Sequence, residues 1–216
     1  MNITEKILHR LLTEAKMPGI EGLAAHVRTG SIFREIFIYD TSRALLMLPK
    51  LIKKGASNLD VHRIIRGYTS IKQPSEPCNG AWEVKGSAGP GYGKLVYGVA
   101  YAASPTGILI SDRGSVSEPA QVGWKRARDQ RISKELDDFE EPKTPDPSDD
   151  CRVYKAPGRE FLNRSYEAQG WENDVLMQLK RAHQRFCDEN RLSYEEQKRF
   201  QAALVDGGHD FFSFKL

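Results

Sequence analysis

The sequence predicts an α/β (α+β) protein with a mixed central sheet, flanking helices and a helical C-terminal extension. Two observations lead to this prediction. Between residues 80 and 131, strand-like alternation and helical spacing of apolar residues follow each other in the order strand, glycine-rich loop, helix, strand, helix. After residue 150, one apolar helix face is formed by Trp171, Val175, Leu179, Ala182 and Phe186, and Ser193 with Glu196 forms a capping box that opens a second helix.

The composition is that of an ordinary folded domain. The chain has 216 residues, of which 39% are hydrophobic and 28% charged, which argues against collagen-like, disordered and membrane-spanning classes. With 32 Lys+Arg against 29 Asp+Glu, the net charge of +3 is too small to predict a nucleic-acid-binding protein. The first 18 residues lack the apolar core of a signal peptide, so we expect a cytoplasmic protein.

The cysteines and histidines indicate neither a metal centre nor a disulfide framework. Cys78, Cys151 and Cys187 are odd in number and widely spaced, and no CxxC pair occurs. The five histidines show neither HxxxH nor HExxH spacing. We therefore expect no metal site, no disulfide framework and no cysteine nucleophile.

The first part of the chain is predicted to mix helices and strands. An N-terminal helix is indicated by apolar residues at helical spacing, which are Ile3, Ile7, Leu8, Leu11, Leu12 and Ala15. After a glycine-containing connection, residues 32–39 predict a strand, and residues 41–54 predict a helix that stops at Gly55. For residues 61–71 the pattern leaves helix and strand open.

The central region gives a clearer pattern. Its predicted elements are a strand at 81–85, a glycine-rich turn at 86–94, a helix at 95–103 and a strand at 108–110. Ser115 and Glu118 are then spaced as a capping box, with Ser115 as the expected N-cap of a helix that runs towards Arg131.

Charge divides the chain into three parts. Residues 134–150 contain eight acidic residues and three prolines, the composition of an exposed acidic loop. The predicted parts are therefore a core at 1–133, this loop at 134–150 and a helical extension at 151–216 packed on the core. The last helix is expected to end at Gly207-Gly208, followed by a strand-like tail at 211–214.

The most informative motif is GPGYGK at residues 89–94, between a predicted strand and a predicted helix. Backbone N–H groups at a helix N-terminus bind anions, and glycines let a phosphate approach the backbone closely. The motif does not match a Walker A loop, because Ala88 stands in place of the first glycine and Leu95 in place of the Ser or Thr. It does not match the dinucleotide-binding fingerprint either, because Val96 occupies the position of the third glycine. The alternative is that the glycines form a structural turn that binds no ligand.

The motif resembles the pyrophosphate loop of the GNAT acyltransferase superfamily, which reads Gln/Arg-x-x-Gly-x-Gly/Ala at the same strand-to-helix junction. Gly91 and Gly93 match, and Ala88 replaces the leading Gln or Arg. The order of elements over residues 80–131 is also that of the family's core, so the resemblance implies a GNAT-like mixed sheet. The runs GPGYGKLVYGVA, SPTGILISDRGSVSEPAQVGW and LNRSY are similar to GNAT-like proteins carried by tailed bacteriophages.

The resemblance implies a protein that binds acetyl-CoA and transfers its acetyl group to an amine. It assigns coenzyme binding to the loop and the preceding strand, through Val84, Gly86, Gly89, Gly91, Tyr92, Gly93 and Lys94. The side chain of Lys94 either adds a cation or lies exposed on the first helical turn. The basic run Lys125, Arg126, Arg128 and Arg131 faces either a coenzyme phosphate or solvent.

The same resemblance suggests catalytic and substrate-binding residues. Glu83 is the expected general base, since a carboxylate buried beside Trp82 suits that role, although simple alternation would place it in solvent. Ser117 is the expected general acid, because the helix after the second strand has no tyrosine. Trp82, Asp112 and Arg113 are expected to bind the acceptor at the open edge of the sheet, the alternative being a salt bridge between Asp112 and Arg113.

A second function is open at this stage: a GNAT scaffold that has lost catalysis and binds and inhibits a bacterial host protein. Ala88 at the loop's leading position motivates it, as does the missing tyrosine. A phage protein of either kind would act in the host bacterial cytoplasm. The acidic loop would suit a cationic partner such as a lysine-rich protein or a polyamine, unless it is only solvated; a nucleic-acid partner has net charge alone in its favour.

Overall fold

A seven-stranded sheet with helices on both faces forms the body of the protein. The computed structural model describes residues 19–53, 58–114, 116–155 and 157–213. The sheet has the strand order β1-β2-β3-β4-β5-β9-β6, and only the β4–β5 pair within it is parallel. This mostly antiparallel sheet with packed helices confirms the α+β class.

The strands are β1 (Leu23–Thr29), β2 (Phe33–Asp40), β3 (Ile65–Lys72), β4 (Trp82–Ala88), β5 (Ile108–Ile110), β6 (Ser133–Glu135), β7 (Asp137–Asp138), β8 (Asp150–Cys151) and β9 (Arg164–Glu167). The helices are α1 (Thr41–Leu51), α2 (Asn58–His62), α3 (Gly93–Ala103), α4 (Glu118–Gln130), α5 (Trp171–Glu189) and α6 (Tyr194–Ser213). No helix among the described residues has both the length and the apolar character needed to cross a bilayer.

Strand β2 shows why the sheet is covered on both faces. Its side chains alternate, so that Ile36 and Ile38 pack in one core with α3 and α5, while Phe37 and Tyr39 pack in another with α1 and α6. All four side chains are fully buried. A strand that is apolar on both faces must lie between two layers of helices.

Strand pairing establishes the secondary structure of two segments that the sequence did not assign. The connection before residue 32 contains β1, which sequence analysis did not predict and which pairs with β2 along its whole length. The ambiguous segment 61–71 contains the end of α2 and then β3. The predicted N-terminal helix lies outside the described residues.

The predicted end of the last helix was wrong. Helix α6 continues through Gly207 and Gly208 to Ser213, so residues 211–213 are helical instead of strand-like. A Cβ atom on Gly207 would lie 2.3 Å from Cβ of Val61, and one on Gly208 would lie 2.3 Å from Cδ1 of Phe37. These glycines therefore let α6 pack closely against α2 and the sheet, and they do not stop the helix.

The three predicted parts of the chain are joined in one sheet. Strand β6 spans the expected boundary at 133/134, and β9, from the expected helical extension, lies between β5 and β6. The acidic segment forms the short β7–β8 pair at its ends, and residues 139–148 between them are exposed. Helix α4 begins at Glu118 with Ser117 as its N-cap, and Ser115 lies outside the described residues.

The expectation of no disulfide was wrong, because Cys78 and Cys151 form one. The two residues are 73 positions apart, so their spacing gave no sign of pairing. The fold places the turn before β4 next to β8, and both cysteines are fully buried there with Ala81, Ile110 and Leu136. The disulfide thus fixes the acidic segment to the beginning of β4.

We expect Cys151→Ser to lower the free energy of unfolding by about 4 kcal/mol, the chain-entropy contribution of a loop of this length. Urea unfolding of the variant and of the parent, with and without a thiol reductant, measures the difference. The reductant should destabilise the parent and leave the variant unchanged. A parent that is as stable reduced as oxidised would contradict a stabilising disulfide.

A pair of partly buried histidines lies between the sheet and α5. The ring centroids of His26 and His183 are 5.4 Å apart, and His183 Nδ1 is hydrogen-bonded to the hydroxyl of Tyr39 at 2.8 Å. Burial lowers the pKa of both histidines to about 4, and a charge on His183 further lowers that of His26. Both side chains are therefore neutral in the folded protein at neutral pH.

This pair predicts a loss of stability between pH 6.5 and about pH 4. The unfolded chain takes up protons first as the pH falls, because its histidines keep the ordinary pKa, so each histidine costs about 3 kcal/mol of folding free energy by pH 4. His183→Gln should unfold with a weaker pH dependence than the parent when melting temperatures are compared at pH 7.5, 5.5 and 4.5. The comparison at pH 7.5 gives the pH-independent cost of the substitution, and parallel pH profiles would disprove the contribution.

Candidate functional site

Strand β4 contains a β-bulge just beyond the point where its pairing with β5 ends. Ser70 of β3 lies opposite Gly86, but the next residue, Ile71, lies opposite Val84, which leaves Lys85 as an extra residue in β4. A bulge bends its strand and increases the local twist. Strand β4 pairs with β5 only through Trp82 and Glu83, just before the bulge. From Val84 to Ala88, β4 therefore has no strand partner on the β5 side.

A cleft of about 810 Å³ lies between α3 and α4, the two helices that follow β4 and β5. Its walls carry four aromatic and three basic residues, which are Tyr97, Tyr101, Trp124, Trp171, Lys94, Arg126 and Arg131. Among the described residues that line it, none is acidic. A volume of this size is typical of small-molecule sites, and its charge favours an anionic ligand.

The basic residues of α4 divide between the cleft and other surfaces. Arg131 lines the cleft and pairs with the buried carboxylate of Glu172 at 2.7 Å, whereas Arg126 lines the cleft without an ion-pair partner in the described structure. Lys125 lies over the ring of Phe161, and Arg128 pairs with its exposed neighbour Asp129. Half of the basic run is thus directed to the cleft.

The glycine-rich loop connects β4 to the cleft, and its glycines have different roles. Gly91 has φ +78°, which other residues rarely adopt. A Cβ on Gly93, the first residue of α3, would meet no atom within 4 Å, and its backbone does not require glycine. A Cβ on Gly89 would lie 2.6 Å from Cγ2 of Val96, so this glycine permits strand–helix packing.

The start of α3 has no side-chain cap. Tyr92 N–H donates to the carbonyl of Gly89, and helical bonding begins with Val96 N–H donating to the carbonyl of Tyr92. The N–H group of Gly93 belongs to the first turn, whose N–H groups have no partner inside a helix. Of the other expected loop residues, Tyr92 packs against the core and Lys94 Nζ lies 5.5 Å from the ring centroid of Trp171.

On the opposite face of β4, three charged residues connect the strand to the end of β5. Lys85 Nζ lies 3.1 Å from Glu83 Oε1 and 3.1 Å from Asp112 Oδ1. Glu83 is buried, not solvent-exposed as simple alternation allowed, and its Oε1 also accepts a hydrogen bond from the backbone N–H of Arg113. Burial opposes the charge of Lys85, but its hydrogen bonds to Glu83 and Asp112 outweigh this and raise its pKa.

Arg113 does not pair with Asp112, the alternative that the sequence left open. Its guanidinium donates to the carbonyls of Ser111 at 3.0 Å, Leu162 at 2.7 Å and Arg152 at 3.1 Å, and to the Ser111 hydroxyl. Burial lowers the pKa of Arg113. The guanidinium thus holds the end of β5 to the chain segments around it.

The remaining expected site residues lie in different environments. Trp82 and Val84 are buried against α3, with the guanidinium of Arg34 5.1 Å from the Trp82 ring centroid. The Gly86 carbonyl accepts a hydrogen bond from the Thr69 hydroxyl. Ser117 is exposed, and its side chain does not cap α4. No contact joins Ser117 to Glu83 in the described structure.

Sequence reasoning missed two tyrosines near the opening. Tyr97 lines the cleft next to Ser87 of β4, and burial raises the pKa of its phenol to about 12. Tyr154 donates a hydrogen bond to the carbonyl of Asp112, and burial raises its pKa as well. The spacing of apolar residues predicted the helix that contains Tyr97, but it did not predict which side of that helix faces the cleft. No local pattern could predict that Tyr154 lies at the end of β5.

The acidic segment contains a cluster of carboxylates away from the cleft. Within the described ranges, oxygen atoms of Asp137, Asp149 and Asp150 lie within 4.8 Å of one another, close enough to share a cation. Backbone N–H groups of Lys143 and Thr144 donate to Asp137 Oδ2 at 2.5 and 2.6 Å. These hydrogen bonds lower the pKa of Asp137, with that of Thr144 contributing most.

The loop predicts different stability effects at its two exposed glycines. Gly91→Ala should lower the free energy of unfolding by about 1 kcal/mol, because alanine is strained at positive φ. Gly93→Ala should be neutral or slightly stabilising, because its Cβ meets open space and alanine favours helices. Urea unfolding of both variants measures this contrast, and equal effects would contradict the described loop conformation.

Comparisons with known proteins add no relationship. No protein-family model matches the chain, and neither the curated proteins nor the solved structures give a match. The chemistry of the region is therefore inferred from its own residues. These are a basic and aromatic cleft, a glycine loop at its end, and a strand edge that is open beside it.

Proposed function

We propose that the protein is a GNAT-type N-acyltransferase that transfers an acetyl group from acetyl-CoA to an amine. One observation carries the proposal: a basic, aromatic cleft with no acidic residue in its described lining lies between the helices that follow β4 and β5, and these two strands pair only as far as Glu83. The basic cleft suits the phosphates of an elongated ligand, and the open edge of β4 suits its neutral arm. The resemblance of the loop to a GNAT pyrophosphate loop also supports binding of acetyl-CoA.

The proposed coenzyme position follows from these two parts. Its pyrophosphate contacts the backbone of Gly91, Tyr92, Gly93 and Lys94, where first-turn N–H groups and the helix dipole favour an anion. Arg126 supplies a nearby cation for a further phosphate. The pantetheine arm lies along β4 between Val84 and Ala88, whose main-chain groups have no strand partner on that side.

The reaction requires two proton transfers. The amine nitrogen attacks the thioester carbonyl carbon, the carbon–sulfur bond breaks, the amine loses a proton and the thiolate gains one. Glu83 remains the proposed base: no donor in the described structure contacts its Oε2, although its Oε1 is engaged. Tyr97 and Tyr154 replace Ser117 as proposed acids, because both phenols hold a proton at neutral pH and contact β4 or the end of β5.

One observation favours the second function, a scaffold that binds a bacterial host protein without catalysis. The ion pair with Lys85 and the hydrogen bond from Arg113 both engage Glu83, so the proposed base is less free than a dedicated one. Release of coenzyme A thiol in the presence of amines separates the two functions. If the protein is phage-encoded, both proposals assign it to the host bacterial cytoplasm.

The coenzyme proposal is tested by calorimetric titration with acetyl-CoA. Gly93→Val should weaken binding at least tenfold, about 1.4 kcal/mol, because a side chain there would occupy the space next to the phosphates. Gly19→Val is the matched control, because a Cβ on Gly19 also meets no atom within 4 Å and no strained φ complicates it. The control should bind like the parent, and both variants should keep the parental melting temperature.

Two results would overturn the proposal. Absence of binding by the parent at near-millimolar acetyl-CoA removes the coenzyme site altogether. Equal affinity of the parent and Gly93→Val shows that GPGYGK is only a structural turn. Gly91→Val is less informative, because its strained backbone lowers stability whether or not a ligand binds.

A further inference from the structure

A second pocket, of about 480 Å³, opens on the other side of β4 from the cleft. Trp82 and Val84 pack towards α3, so alternation along the strand directs Glu83 to the opposite face. Glu83, Lys85 and Arg113 line this pocket, together with Lys72 and Arg152. The pocket therefore lies on the face of β4 opposite to α3, the helix that forms one wall of the cleft.

The pocket has an excess of positive charge. Glu83 is already paired with Lys85, and Glu76 is the other acidic residue among those that line it. Lys72 and Arg152 are exposed and make no ion pair within the described part of the chain; the guanidinium of Arg113 donates to neutral acceptors, with the charges of Glu83 and Asp112 nearby. Charges in a partly enclosed site are stabilised by an opposite charge, which a ligand can supply.

The register between β3 and β4 sets the distance between Lys72 and Glu83 in the pocket. Lys72 and Glu83 are directly opposite each other on neighbouring strands, and both line the pocket. Side chains in such a pair start about 5 Å apart. A ligand that placed an amine at Glu83 and an anionic group at Lys72 would therefore carry the two groups a few bonds apart.

We propose that this pocket selects an acceptor amine that also carries a carboxylate, as a free acidic amino acid or an acidic peptide N-terminus does. The inference rests on the proposed acetyl transfer and names its acceptor class. Glu83 receives the amine proton, and Lys72 and Arg152 bind the carboxylate. Polyamines and lysine side chains are disfavoured, because they would add positive charge to a pocket that already has an excess of it.

The test compares acceptors of opposite charge in an assay of thiol release from acetyl-CoA. Free glutamate and a peptide amide with an N-terminal glutamate are the anionic acceptors, and spermidine and lysine amide are the cationic ones. We expect turnover with at least one anionic acceptor and a KM for it that rises at least tenfold in Lys72→Glu and Arg152→Glu. The KM for acetyl-CoA should not change. Lys180→Glu, an exposed reversal on α5, is the matched control and should behave like the parent.

A direct titration of glutamate into the protein without coenzyme separates this inference from the proposed function. Glutamate binding that Lys72→Glu weakens supports the pocket even if acetyl-CoA does not bind or no amine is acetylated. Faster turnover of the cationic acceptors overturns the inference and leaves acetyl transfer intact. Unchanged KM in the reversed variants, or no glutamate binding and no turnover of anionic amines, overturns it as well.

Discussion

The site depends on one backbone irregularity, the extra residue Lys85 in β4. Before it, β4 is an ordinary central strand that pairs with β3 on one side and β5 on the other. After it, pairing with β3 continues while β5 ends at Ile110. An open strand edge inside a sheet normally invites aggregation or needs cover. Here α3 packs against β4, and the end of β5 is held beside it by the contacts of Lys85 with Glu83 and Asp112.

The side chain of the same residue limits how far the sheet opens. Lys85 contacts Glu83 on its own strand and Asp112 beyond the end of β5, so it spans the gap beyond the last β4–β5 pair. Its charge is partly exposed, which keeps the desolvation cost of the bridge small, whereas Glu83 is buried and needs the partner. Arg113 reinforces this end of the gap through carbonyls on two other segments. The position of the opening is therefore fixed by hydrogen bonds and ion pairs as much as by apolar packing.

The sequence predicted local features and missed long-range ones. The order of elements from residue 81 to residue 130 follows from apolar periodicity, and the loop follows from its glycines, so both were found. The bulge at Lys85 depends on the register with β3, which no local pattern encodes. The insertion of β9 beside β5 and the Cys78–Cys151 disulfide join residues dozens of positions apart. Gly207 and Gly208 were misread because a glycine pair signals a helix end equally well as a close packing contact.

The distribution of charge explains why the overall balance was uninformative. Residues 134–150 hold eight of the 29 acidic residues but only two of the 32 basic ones, so the rest of the chain has 30 Lys+Arg against 21 Asp+Glu. Part of this excess lines a cleft of about 810 Å³ with aromatic walls and part lines a pocket of about 480 Å³. Concave sites of these sizes suit small molecules, so the proposed polyphosphate ligand uses the local charge of the cleft, which the overall balance of the chain does not report.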